Sequence, residues 1–223
     1  MIHFIPILAL MAVVLVLLHR AEFACDRRGI LIFKPIASSL MMLTLLLSFT
    51  RAGCYRSDYT LALMAGMLLC FGGDIALMFM NSSKKAFRVG LVLFLLGHVA
   101  YSAVFTRFSG FHQSDWVSAA VFAAAGSAVY VYLLPGLGDM KLPVLAYVII
   151  ISLMMNRAVS TFSGDYFSAT QALLITAGAG LFYISDIILA LGRFRHQWRY
   201  GRINLAFYYA GQVLIALSAS FFC

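Results

Sequence analysis

YTLALMAGMLLCFGGDIALMFM, residues 59–80, runs for 22 positions with a single charged side chain, Asp74. A bilayer core about 30 Å thick takes roughly 20 apolar helical residues to cross, so this stretch reads as a transmembrane helix. Outward from it the pattern recurs, approximately over Ile2 to Leu18, Ile30 to Phe49, Ala86 to Phe105, Trp116 to Leu133, Lys141 to Met155, Ser168 to Leu191 and Ile203 to Phe221. The segment opening at Lys141 is the shortest. The sequence therefore predicts an all-α membrane protein, a bundle of eight transmembrane helices that makes residues 1–223 one polytopic domain. A spanning β-barrel would instead show segments of about 10 residues alternating apolar and polar.

Composition agrees. Hydrophobic residues are 63% of the chain and charged residues 11%, with a mean hydropathy of +0.96, against about half apolar and a quarter charged in a soluble domain. A signal peptide carries its positive charge before the apolar run; here Met1 to His3 is uncharged and Arg20, Arg27 and Arg28 follow, so the first helix is expected to be a retained anchor. Cys25, Cys54, Cys70 and Cys223 lack paired metal-binding spacing, and no metal, cofactor or disulfide framework is expected.

Cytoplasmic loops carry the excess of Lys and Arg. With eight spans, twelve of the sixteen basic residues fall on one side: Arg20, Arg27, Arg28, Lys34, Lys84, Lys85, Arg88, Lys141, Arg193, Arg195, Arg199 and Arg202. Arg51, Arg56, Arg107 and Arg157 fall on the other, with both termini, which are expected on the non-cytoplasmic side. The net charge of +8 then reads as topology and anionic-lipid contact. A nucleic-acid partner would need a basic surface on a folded soluble module.

An ionisable group in hydrocarbon costs about 2.5–3.5 kcal/mol on insertion scales, which makes each one inside a span a functional candidate. Glu22, Asp26, Asp58, Asp115, Asp139 and Asp165 read as loop or span-end residues, whereas Asp74 and Asp186 lie inside the third and seventh helices. Each stands five or six residues from its helix end, a common depth of roughly 8–9 Å at 1.5 Å per residue. No Lys or Arg is expected deep in a span to pair with them. The residues following also correspond: Arg88, Leu91, Gly97, His98 and Val99 match Arg202, Leu205, Gly211, Gln212 and Val213 at an offset of 114, and the two Asp differ by 112. This points to two parallel four-helix halves, residues 1–112 and 113–223.

Asn204, Tyr208 and Gln212 share one stripe of the eighth helix, and His98 and Tyr101 one face of the fourth. His98 and Gln212 read either as site groups or as interhelical hydrogen-bonding groups. Tyr183 and Tyr208 read either as site residues or as core aromatics. Gly72 and Gly73 read as close helix packing.

These residues resemble the YhhN family of membrane proteins, which includes animal lysoplasmalogenases and their bacterial relatives. The shared features are Lys34-Pro35, Gly73-Asp74 with Leu77, Gly97-His98 with Tyr101, Ser185-Asp186 with Leu189-Ala190, and Tyr208-Tyr209 with Gln212. They run in order over nearly the whole chain. The resemblance implies a bacterial inner-membrane hydrolase that cleaves the vinyl ether bond of lysoplasmalogens to a fatty aldehyde and glycerophosphocholine or glycerophosphoethanolamine. Its partners would be a lysolipid and water, with monomer and homodimer both open.

Such cleavage protonates the vinyl β-carbon, leaving an oxocarbenium ion that water captures. Asp74 and Asp186 are the expected catalytic pair, one neutral as general acid and one ionised to stabilise the cation and activate water. Tyr208, Gln212, Asn204 and His98, with Tyr101 and Tyr183, are expected to bind substrate. Lys34, expected at the start of the second helix, reads either as a phosphate partner, as does the basic segment Arg193 to Arg202, or as a snorkelling topology residue. The main rival is a proton-coupled transporter of a small or lipid-like substrate; against it, Pro6, Pro35, Pro135 and Pro143 all read as near span ends. A zinc-dependent membrane amidase would need several His at one depth, and only His98 lies inside a span.

Overall fold

The computed structural model describes residues 4–50, 53, 55–196 and 201–222. Ile2, His3, Arg51, Cys54, Arg199 and Cys223 lie outside the described residues. The fold is all helical: α1 (Ile5–Phe23), α2 (Arg27–Leu46), α3 (Ser57–Leu77), α4 (Lys84–Ser109), α5 (Asp115–Leu133), α6 (Lys141–Ser160), α7 (Ala169–Phe194) and α8 (Asn204–Ser218).

Local chemistry starts several of these helices. The Asp26 side chain accepts from Arg28 N at the head of α2, and Ser83 accepts from Ala86 N at the head of α4. Ser168 and Gln171 form a reciprocal capping box on α7. The Asp26 cap begins α2 three residues before the expected Ile30. Lys34 is therefore not at the helix start: it sits two turns inside α2 and is 5% exposed. Pro35 likewise falls inside α2 and not at its end.

Seven of the helices, α1 to α7, are long and apolar enough to cross a membrane. α8, expected as an eighth full span, has 15 residues, or about 22 Å at 1.5 Å per residue. Ten of its fifteen residues are buried, so it is the core helix of the bundle. α5, on the rim, buries only Asp115, Gly126 and Leu133.

Close approach of backbones sets the two most extensive pairings, α3 on α4 and α7 on α8. A Cβ added at Gly178 would stand 2.6 Å from Gly211 O, and one at Gly211 would stand 2.6 Å from Gly178 O, so only glycine fits this crossing. A Cβ at Gly73 would meet the Phe94 ring at 2.7 Å. Gly73 thus serves helix packing, as its sequence context indicates.

α6 runs five residues beyond its expected end at Met155, and the added turn changes the charge reading. Arg157, expected near a span end, is 2% exposed and paired with Asp115, itself buried at the head of α5. Arg157 Nη1 donates to Asp115 Oδ2 at 2.6 Å and Nη2 donates to Ser160 Oγ at 2.9 Å and to the Gly110 carbonyl. Its guanidinium also lies 4.5 Å from the Phe111 ring centroid. Asn156 Nδ2 donates to Asp115 O and Ser118 Oγ at 2.8 and 2.7 Å. This network ties α6 to α5 and to the α4–α5 loop.

Removing one partner of a buried pair leaves the other charge uncompensated. Arg157→Met should therefore cost about 3 kcal/mol, read as a lower unfolding temperature in detergent, and Arg157→Met combined with Asp115→Leu should be more stable than Arg157→Met alone.

Candidate functional site

Asp74 lies in the last turn of α3 and is 1% exposed. Ser38 Oγ, one helical turn beyond Lys34 on α2, donates to Asp74 Oδ2 at 2.7 Å, and Tyr208 OH of α8 donates to the same oxygen at 2.8 Å. Lys34 Nζ stands 3.9 Å from Asp74 Oδ1. That is an ion pair too long to be a hydrogen bond. The Tyr209 hydroxyl lies 2.9 Å from Ser38 Oγ and 3.3 Å from Lys34 O, and its one proton serves either acceptor. Asp74 is thus pinned by two hydroxyls and only faced by the ammonium. The expectation that no cation lies deep in a span is corrected here.

Asp186 lies inside α7, with its side chain 13% exposed. Tyr147 OH of α6 donates to Asp186 Oδ2 at 2.7 Å, and His98 Nε2 of α4 is 3.1 Å from the same oxygen. His98 Nε2 is also 3.0 Å from Tyr147 OH, while Nδ1 faces Met154 Sδ, a weak acceptor, at 3.3 Å. Nε2 is the nitrogen placed to donate to Asp186. Both contacts are made to Oδ2. The imidazole is fully buried, with its ring 4.5 Å from that of Phe182, and the Phe182 ring also meets that of Tyr208 at 5.1 Å. An aromatic wall therefore joins the two carboxylate clusters.

Two cavities meet here. One, with an empty volume of ≈ 380 Å³, is lined by Lys34, Asp74, Asp186, Arg202, Asn204 and Tyr208 among others. The other, ≈ 710 Å³, is lined almost wholly by apolar side chains, including Leu91, Phe87, Val129 and Tyr183, with Arg193 at its exposed end. Asp186 lines both, as do Leu77, Phe94 and Leu189. The Arg193 guanidinium lies 4.8 Å from the Phe87 ring centroid.

The structure brings together Asp74, Asp186, Lys34, Asn204 and Tyr208 on the polar cavity, with His98 one contact behind Asp186. Tyr183 lines the apolar cavity. Tyr101 and Gln212 do not reach either: Tyr101 OH donates to Gln212 Oε1 at 2.7 Å in the buried core, as an interhelical bond. The expected equal depth from helix ends fails, because Asp74 is three residues from the end of α3 and Asp186 eight from the end of α7. α7 projects farther than the apolar run suggests, and the shared cavity, not the helix ends, relates the two. Of the basic segment, Arg202 lines the polar cavity and Arg193 the apolar one.

Sequence reasoning missed Ser38 and Tyr147. Ser38 was legible as the residue at i+4 from Lys34, on the same helix face. Tyr147 gave no signal, since one tyrosine in an apolar span resembles a core aromatic. Among the described residues, no three His, Cys, Asp or Glu converge on a point that would hold a metal ion.

The YhhN family model matches residues 30–219. The chain is similar to lysoplasmalogenase TMEM86A of Bos taurus and of Homo sapiens, each 30% identical over 161 residues, which is 70% of this chain and 64% of the relative. The chain thus matches less than two thirds of the length of these curated relatives. No solved structure matches it.

The Lys34 and Asp74 contact makes their substitutions non-additive. Lys34→Met and Asp74→Asn each leave a buried partner unmatched, so the double variant should be less destabilised than the sum of the singles by about 1 kcal/mol or more, measured by denaturation in detergent. Additive losses would contradict the pairing.

Proposed function

The chain belongs to the YhhN family, and on that premise we propose that it is a lysoplasmalogenase-like hydrolase of alkenyl-glycerophosphocholine or alkenyl-glycerophosphoethanolamine. The observation that carries this reading is the position of Asp186 on the boundary between a polar cavity and an apolar one. A lysolipid has one charged head group and one hydrocarbon chain, and its vinyl ether lies where they join. With the head group among Lys34, Arg202 and Asn204 and the chain in the apolar cavity, the reacting bond falls beside Asp186.

Asp186, protonated on Oδ1, delivers its proton to the β-carbon, the vinyl carbon deeper in the chain. Tyr147, which donates to Oδ2, and His98, whose Nε2 is placed to do so, then hold the carboxylate left behind. The oxocarbenium charge develops on the α-carbon and ether oxygen, on the side of the polar cavity. Asp74, ionised and fixed by Ser38 and Tyr208, faces that charge and takes a proton from the attacking water. The resulting hemiacetal loses its hydroxyl proton as the glycerol oxygen gains one, giving aldehyde and alcohol. The division of labour parallels the two carboxylates of glycoside hydrolysis. A proton-coupled transporter would also use two membrane carboxylates, and the almost wholly apolar lining of the second cavity favours the hydrolase.

The same proposal includes the duplication. The helix pairings within residues 1–112 have counterparts within 113–223, α1 on α2 and α5 on α6, α2 on α3 and α6 on α7, α3 on α4 and α7 on α8, and of the contacts between the halves α4 on α6 corresponds to α8 on α2. This supports two related halves, one presenting Asp74 and the other Asp186. The proposed setting is a bacterial inner membrane with both termini on the non-cytoplasmic side, which turns the polar cavity toward the cytoplasmic face.

Aldehyde release from a lysoplasmalogen by the purified protein tests the reading. Wild type should be active, and Asp74→Asn and Asp186→Asn should each lose about 100-fold or more in kcat, the scale of general acid–base catalysis. A wild type that releases no aldehyde but carries a proton flux would replace the hydrolase with the transporter.

A further inference from the structure

Lys34 presents a problem to the proposed chemistry. An oxocarbenium ion is a cation, and the ammonium that faces Asp74 at 3.9 Å compensates the negative charge that should stabilise it. As the site stands, a developing positive charge meets a nearly neutral pair. Something must draw Lys34 away, or neutralise it, before Asp74 acts at full strength.

The contacts are arranged for that. Asp74 keeps its place through Ser38 and Tyr208, at 2.7 and 2.8 Å, so it does not depend on Lys34 for position. Lys34 makes no hydrogen bond to the carboxylate at its 3.9 Å separation, and a lysine side chain reaches new partners by rotation alone. Arg202 lines the same cavity. Glu22 Oε2 holds it by Nε at 3.2 Å, which leaves the terminal guanidinium nitrogens to a ligand. Two cations thus converge on a cavity that also holds the carboxylate one of them faces.

Resting on the hydrolase reading above, we propose that the phosphate of the substrate's own head group is the switch that activates this site. Bound between Lys34 and Arg202, the phosphodiester anion takes over the Lys34 charge, and Asp74, still pinned by its two hydroxyls, is left uncompensated toward the oxocarbenium ion. Head-group binding energy is then expressed in the chemical step and not only in affinity. The phosphate acts as an activator bonded to the substrate it activates.

The test compares a lysoplasmalogen with the matched 1-alkenylglycerol, which keeps the vinyl ether and lacks the phosphate, using the purified full chain and aldehyde release. The 1-alkenylglycerol should show a kcat lower by about tenfold or more. Inorganic phosphite supplied in trans should raise its turnover saturably. Lys34→Arg should keep this activation, Arg202→Gln should require more phosphite, and Lys34→Met should abolish it. Should Lys34→Met fail to fold, the wild-type comparison decides alone. A phosphate-free substrate that differs only in KM overturns the proposal, as does a kcat deficit that phosphite leaves unrestored; in both cases the hydrolase reading stands. If the lysoplasmalogen itself is not cleaved, the hydrolase reading falls and this inference with it.

Discussion

Charge in a lipid-embedded interior must find a partner, and that constraint organises this molecule from both ends. At one end Arg157 is paired with Asp115 and its guanidinium is shared among Ser160, the Gly110 carbonyl and the Phe111 ring. At the other, Lys34 faces Asp74 at 3.9 Å beside a cavity. The first pair is closed by short bonds to neighbouring backbone and hydroxyl groups and serves to fasten α5, α6 and the α4–α5 loop. The second is open on one side and loosely held. The number of short contacts separates the closed structural pair from the open one beside the cavity.

The rest of the fold serves the open end. Glycines at 178 and 211 let α7 and α8 cross with their backbones in contact, which draws Tyr208 toward Asp74 while Phe182 supports His98. α8 buries ten of its fifteen residues, and such a helix can carry Asn204, Tyr208 and Gln212 among protein groups where a lipid-facing one would not. α5, with almost nothing buried, carries none of the polar groups of the two carboxylate clusters.

Much of this was legible beforehand. Long apolar runs gave the eight helices because backbone groups in a bilayer must be satisfied within each segment. Asp74 and Asp186 stood out because carboxylates are rare at such positions. What failed were inferences about depth. Hydropathy marks where an apolar run ends, while the helix continues to its cap: Asp26 extends α2 and buries Lys34, and α7 continues to Phe194. Arg157 reads as a span-end residue for the same reason, since its run of apolar neighbours stops just before it. Tyr147 is hidden because its role comes from a partner on another helix, which no local pattern encodes, whereas Ser38 shares the Lys34 face of α2. Tyr101 and Gln212 matched the spacing of site residues, yet they bond each other in the core.

In the proposed reaction a single lysolipid bridges the two cavities with its ether linkage between the carboxylates. The most direct measurement is an experimental structure with a 1-O-alkyl lysophospholipid, whose saturated ether cannot be cleaved by protonation at carbon. The phosphate should lie against Lys34 and Arg202, the ether oxygen between Asp74 and Asp186, and the chain should run past Leu91 and Val129. A lipid bound with its ether remote from both carboxylates, or lying on the outer surface of the bundle with the cavities unfilled, would contradict it.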